Sequence, residues 1–342
     1  MYKEINIKDF LKQSRDYPIL DVRTPDEFTR GHITGAINFP LFSTSERNII
    51  GKIYKEHGRD TAILMGLELS GPRIGKFVTS GKEMAHNNEL LLHCWRGGLR
   101  SASLAWLFDV SGIKSYVLNG GYKAYRKYIL EYFKSPFRLI IIGGMTGTGK
   151  TDILLKLKEK GNQVLDLEAI AHHKGSVFGA LGEEEQNSNE QFENDLFSFL
   201  SGCNPKIPVW VEDESQNIGR NLIPSGFFQQ ILNAHLICIE TDMKSRVKRL
   251  IRDYAVFPSE SLEMCIKKIS RRLGGLTTQH AIEALKRGDF GKVAELMLDY
   301  YDKTYTHSLT KRDSLKVHKI RIDSDDLQSV TDEIKRFASS FI

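Results

Sequence analysis

Residues 144–151 read Gly144-Met145-Thr146-Gly147-Thr148-Gly149-Lys150-Thr151 and fit the pattern Gly-x4-Gly-Lys-Thr. This pattern constrains the fold because it works only between a strand and a helix. Its glycines let backbone amides close on phosphate oxygens, and the following helix N-terminus adds partial positive charge. Both flanks are present. Arg138-Leu139-Ile140-Ile141-Ile142 precedes the loop as a β-branched strand, and residues 152–160 follow as a helix. In such a loop Lys150 reaches the outer phosphates and Thr151 can ligate Mg²⁺. A second apolar strand, Val209-Trp210-Val211, ends in Glu212-Asp213-Glu214, where either Glu212 or Asp213 is placed to hold a metal through water. The absence of an Asn-Lys-x-Asp guanine reader argues against a GTPase. The loop specifies a polyphosphate, without saying which one or whether ATP binds.

The remaining strands and helices alternate, which implies α/β architecture with parallel sheets. Strands are expected at 17–22, 90–93 and 116–118, with a helix over 101–110 stopped by Gly112. Ser135-Pro136 interrupts a helical segment and marks a boundary. Further strands are expected at 163–167, 208–211, 236–240 and 317–322, and a closing helix over 327–337. A chain of 342 residues accommodates two ordinary domains, here 1–134 and 137–342. The longest apolar run, 139–142, is too short for a bilayer. Met1-Tyr2-Lys3-Glu4 lacks the features of a secretory signal. Cys94, Cys203, Cys238 and Cys265 show no pairing or zinc spacing and read as reduced thiols of a cytoplasmic protein.

One of the four differs from the rest. In Leu92-His93-Cys94-Trp95-Arg96-Gly97-Gly98-Leu99-Arg100-Ser101, a strand ends, a glycine loop follows and a helix begins. Cys94 then sits at the carboxyl edge of a parallel strand, where open α/β sheets bind ligands. Inward-pointing amides, the helix N-terminus, Arg96 and Arg100 all favour thiolate over thiol. Trp95 either stacks a base or shields the loop.

Upstream run Asp21-Val22-Arg23-Thr24-Pro25-Asp26-Glu27-Phe28 and Gly31-His32-Ile33-Thr34-Gly35-Ala36. With the cysteine loop, these resemble a rhodanese domain over roughly 5–130. The resemblance makes Cys94 the chalcogen carrier, as a persulfide-like adduct, with Asp21, Arg23, Glu27 and His32 mostly scaffold. The order of motifs along the whole chain is more specific. The cysteine loop and the phosphate loop are followed by Asp166-Leu167-Glu168, His172-His173-Lys174-Gly175-Ser176, Glu212-Asp213-Glu214-Ser215, Arg272-Leu273-Gly274-Gly275 and Tyr300-Tyr301-Asp302. This order resembles the tRNA 2-selenouridine synthase family from about residue 10 to 310. Lys174 stands where that family has arginine, replacing a forked contact by a point charge.

What the resemblance implies is exchange of sulfur for selenium at C2 of wobble 2-thiouridine in tRNA, with selenophosphate as donor. It also implies an S-geranyl intermediate made with geranyl diphosphate, and a selenophosphate-producing enzyme as partner. The phosphate-binding residues Gly144, Thr146, Gly147, Thr148, Gly149, Lys150 and Thr151 would then hold the diphosphate. The net charge of +5 suits a polyanionic partner. Basic residues gather after 240, and Arg246, Arg249 and Arg252 recur at helical spacing. Either they contact tRNA or, as in many phosphate-loop kinases, they cover the phosphates. His172 and His173 take part in base handling or are structural. The rival readings are a sulfurtransferase fused to a small-molecule kinase, and a non-catalytic binding module, which Cys94 and its arginines argue against.

Overall fold

Apolar, β-branched strand segments separated by amphipathic helices bury both faces of a parallel sheet, and that arrangement occurs twice. The computed structural model describes residues 2–322 and 326–341. Met1 and Ile342, the outermost residues of the expected domains, lie outside the described residues. Two compact units are formed: Met1–Tyr132 with Glu193–Asp195, and Phe133–Phe192 with Leu196–Ile342.

In the first unit the strands are β1 (Lys3–Ile5), β2 (Ile19–Asp21), β3 (Ile37–Asn38), β4 (Glu89–His93) and β5 (Lys114–Leu118). They pair in the order β1-β5-β4-β2-β3, all parallel. Helix α1 (Leu99–Val110) sends Leu104, Ala105 and Phe108 into a core with Leu20, Leu90, Leu92 and Val117. The expected strands at 17–22, 90–93 and 116–118 are present. The two-residue β3 and the helix Thr44–Ser70 carry too weak a periodic signal to be read beforehand.

In the second unit the strands are β6 (Leu139–Gly144), β7 (Gln163–Leu165), β8 (Val209–Glu212), a small hairpin β9 (Asn217–Ile218) and β10 (Asn221–Leu222), β11 (His235–Glu240) and β12 (Val317–Arg321). The main sheet runs β12-β11-β6-β8-β7, again parallel. Helix α2 (Lys150–Glu159) and the helix Leu327–Ala338 cover it, with Ile153, Leu157 and Ile334 against Ile140, Ile142, Trp210 and Ile237. A separate helical core gathers Phe178, Leu262, Ile266, Ala281, Val293 and Met297. It involves helices α3 (Met243–Tyr254), α4 (Ser259–Lys268) and α5 (Phe290–Leu309). Among the described residues no helix is long and apolar enough to cross a membrane.

Candidate functional site

Cys94 follows directly from β4 and is only 3% exposed. Its carbonyl accepts from the Tyr122 amide at 2.8 Å, and the Trp95 carbonyl accepts from the Lys123 amide at 3.0 Å, so the loop is pinned at its base. The pinning requires close backbone approach. A Cβ on Gly121, which has φ +59°, would lie 2.4 Å from the Cys94 carbonyl oxygen. Above that base, the Gly98 amide donates to Sγ at 3.3 Å and the Ser101 hydroxyl at 3.2 Å. Burial pushes the thiol up. The Ser101 hydroxyl and amide, the Arg100 charge and the Arg96 amide together outweigh it and hold Cys94 below its ordinary value of 9.0.

Arg96 and Arg100 contribute differently. The Arg96 side chain is exposed, and its amide acts on the sulfur. Arg100 is fixed by Glu27, with contacts of 2.6 and 3.3 Å. Glu27 also caps the helix Pro25–Arg30 through Thr24. The buried pair Asp21–Arg23 continues the scaffold: Arg23 lies 3.8 Å above the Tyr122 ring. His32 stacks on Phe28 with its Nδ1 3.0 Å from the Phe28 carbonyl, a structural role. Trp95, 37% exposed, leans on Tyr122. The sequence reading omitted Ser101 as a functional group, although it stands at helical spacing from the loop. Alkylation of Cys94 by iodoacetamide is expected to rise with pH along a curve whose inflection lies below 9.0. Ser101→Ala should move that inflection upward; an unchanged curve would remove the hydroxyl from the account.

The phosphate loop leaves the carboxyl end of β6, between β8 and β11, where the sheet order reverses. Gly149 caps α2 in the left-handed region at φ +87°, a conformation that glycine adopts without steric cost. Thr148 is buried and closes the turn onto the Met145 carbonyl at 2.9 Å. Lys150 Nζ stands 3.5 Å from Glu212, and Thr151 Oγ1 is 3.5 Å from the same carboxylate. Asp213, the other metal candidate, is occupied: Arg312 pairs with it and the Tyr305 hydroxyl donates to it at 3.0 Å. Tyr305 in turn accepts from the Gly144 amide at 2.7 Å. Glu212 is therefore the carboxylate that faces the loop, and Asp213 is part of its support.

Two further carboxylates, unassigned from the sequence, join Glu212. Ligand atoms of Glu168, Glu212 and Glu214 lie within 4.8 Å of one another. Burial, then repulsion from Glu212, pushes Glu168 up to about 9 and Glu214 up to about 8, and burial with the nearby Asp166 and Asp213 charges raises Glu212. Burial alone would lower Lys150, but the carboxylates Glu212, Glu214 and Glu168 reverse the sign and raise it. An all-oxygen donor set with more negative than positive charge fits a hard divalent cation.

Arg246, Arg249 and Arg252 do share a face of α3, but that face turns to the phosphate loop. Arg246 is 3% exposed, forks onto Asp302 and donates from Nε to the Thr146 carbonyl at 2.8 Å. Arg249 donates to the Gly147 carbonyl at 3.2 Å, and its guanidinium lies where a Gly149 side chain would go. Arg252 is exposed and paired with Asp152 and Asp253. Of the two readings of these arginines, cover over the phosphate loop is the one this geometry supports for Arg246 and Arg249: burial and pairing remove Arg246 from any tRNA-facing surface, and Arg249 is half-buried over the loop. Asp302→Ala is expected to strand the Arg246 charge and cost about 3–5 kcal/mol, read by urea unfolding. A loss under 1 kcal/mol would refute that role. Lys244, Lys248, Lys267, Lys268, Arg271 and Arg272 remain exposed. Lys174 pairs with Glu183 at 3.0 Å, His172 terminates a short helix in the left-handed region, and burial lowers His173.

Comparison with known proteins agrees with this two-centre organisation. Residues 137–337 match the family described as the tRNA 2-selenouridine synthase AAA domain, and residues 6–128 match the rhodanese-like domain. A tRNA 2-selenouridine synthase of Bordetella bronchiseptica is 36% identical, with 85% of this chain and 88% of that one covered. One of Shewanella pealeana is 33% identical over 87% and 90%, and one of Bdellovibrio bacteriovorus is 34% identical over 90% and 93%. Among solved structures, the N-terminal domain of a putative ATP/GTP binding protein from Clostridium difficile 630 is 37% identical. It covers 37% of this chain and 99% of its own, at a TM-score of 0.36. With a rhodanese-like domain carrying a cradled thiol and a phosphate-loop domain matched along nearly all of its length, the chain belongs to the tRNA 2-selenouridine synthase family.

Proposed function

We propose that this enzyme acts on tRNA in two steps, one at each centre. In the first, the sulfur of wobble 2-thiouridine attacks C1 of geranyl diphosphate. The C1–O bond breaks, pyrophosphate leaves with the electron pair, and a C–S bond forms. The phosphate loop and Lys150 stabilise the charge that grows on the leaving pyrophosphate. In the second, the selenium of selenophosphate adds to C2, the C2–S bond breaks and geranyl thiol departs with a proton, and water then cleaves the Se–P bond to release phosphate. Selenophosphate carries selenium at the selenide level, so the exchange is redox-neutral. The Cys94 cradle, with its inward amides and Arg100, serves this step by handling the anionic chalcogen. A thiocarbonyl sulfur leaves poorly, whereas its S-alkyl form leaves as a thiol, which gives the order of the steps.

Mg²⁺ fits the Glu168, Glu212 and Glu214 group with Thr151 beside it, and when bound it would neutralise phosphate charge. The exposed cations of residues 244–272 suit the tRNA backbone, and that contact should weaken steeply with added salt. The enzyme that makes selenophosphate is the partner this chemistry requires.

The observation that carries the reading is the pairing of a thiolate cradle with a phosphate loop in a chain of this family. Mass spectrometry of nucleosides tests it, using 2-thiouridine tRNA incubated with the protein and geranyl diphosphate, then selenophosphate. Successive S-geranyl and seleno nucleosides are expected. ATP turnover and sulfur transfer with no modified nucleoside would select the kinase fusion instead.

A further inference from the structure

The second unit contains a cavity of about 60 Å³, open to solvent, that begins at Thr146 of the phosphate loop. Its walls come from α3, α4, α5 and the segment around Phe178. The stripe Phe290, Val293, Ala294, Met297 and Tyr301 lines it at helical spacing, and Leu250, Ile251 and Tyr254 of α3 face it too. None of the lining residues is charged. Besides Thr146, the polar ones are Ser176 and the two tyrosines. Tyr301 accepts from the Val177 amide, and so spends its hydroxyl on the protein.

The cavity has a direction. Asp302, next to Tyr301, holds Arg246, and Arg246 holds the Thr146 carbonyl, so the Tyr301 end of α5 lies by the phosphate loop. Phe290 is eleven residues earlier on that helix, about 16 Å away along its axis at 1.5 Å per residue. The wall thus runs from an anion cradle into hydrocarbon surroundings. Protein interiors are close-packed, and an open cavity with apolar walls and its polar groups gathered toward one end has the form of a ligand site. A nucleoside would leave its base and ribose without partners against these walls.

We infer that this cavity between α3 and α5 is a hydrocarbon-tail site, continuous with the phosphate loop, whose ligand is a prenyl diphosphate and whose far residue, Phe290, limits tail length. The inference rests on the diphosphate reading above and adds the residues that hold and measure the tail. Each buried methylene tightens binding roughly fourfold, so even after the cost of ordering the tail a ten-carbon chain should dominate affinity.

Calorimetry on the full-length protein with Mg²⁺ tests this, comparing inorganic pyrophosphate, geranyl diphosphate and the fifteen-carbon farnesyl diphosphate. Geranyl diphosphate should bind at least about 100-fold tighter than pyrophosphate. Ala294→Phe, which fills the cavity, should weaken geranyl diphosphate at least tenfold and leave pyrophosphate within twofold. Phe290→Ala should shift preference toward farnesyl diphosphate by tenfold or more, a gain that misfolding cannot imitate. Equal affinity for pyrophosphate and geranyl diphosphate would overturn the tail site while sparing the diphosphate loop. Binding of ATP with no binding of either diphosphate would overturn both.

Discussion

Lys150→Ala is expected to slow geranyl transfer to 2-thiouridine tRNA by about 10²–10³, the usual cost of removing one preorganised donor from a developing oxyanion. Lys150 is the first residue of α2 and stands 3.5 Å from Glu212. Its removal therefore also takes a cation from beside three carboxylates that are already reluctant to ionise. The defect should fall on geranylation alone. Supplied with tRNA already S-geranylated, the variant should incorporate selenium normally. Lys150→Arg should rescue little, because a planar fork does not replace a compact ammonium at the helix start. Single-turnover nucleoside analysis reads the result; a full geranylation rate in Lys150→Ala would remove the phosphate loop from the chemistry.

Cys94→Ser is expected to give the opposite split: no seleno nucleoside, and accumulation of the S-geranyl one. Serine keeps the size and the hydrogen bonds from Gly98 and Ser101, so the loop should hold its shape. Its hydroxyl does not ionise near neutral pH, whereas the cysteine thiol is held below its ordinary value. Selenation should fall below detection while the geranyl transfer rate stays within about twofold. Loss of both activities in a variant that still melts cooperatively would contradict the division between the centres.

Local chemistry made the two loops readable in advance. The phosphate loop and the cysteine loop are short segments whose glycines and charges have meaning without neighbours, and both appear where strand-to-helix transitions were expected. What depends on distant residues was not readable. Nothing local tells that Arg246 will be paired with Asp302 across two helices, so its helical spacing with Arg249 and Arg252 leaves tRNA contact and phosphate cover equally open. Likewise Glu212 and Asp213 are adjacent in sequence and alternate in direction along the end of β8. Only Arg312 and Tyr305, about a hundred residues on, show which of them faces the loop. The tail cavity was invisible for the same reason, since its walls come from helices whose apolar residues look like ordinary core.

The phenol of Tyr305 reaches the Gly144 amide across 161 residues, and Arg312 reaches Asp213 across 99. Such distant closures are slow to find. A nascent chain released up to residue 300 would hold every glycine of the anion loop yet lack the groups that set its curvature. Competence to bind a diphosphate should therefore arise late in synthesis, and a fragment ending before Tyr305, which also lacks the edge strand β12, should carry a slack loop.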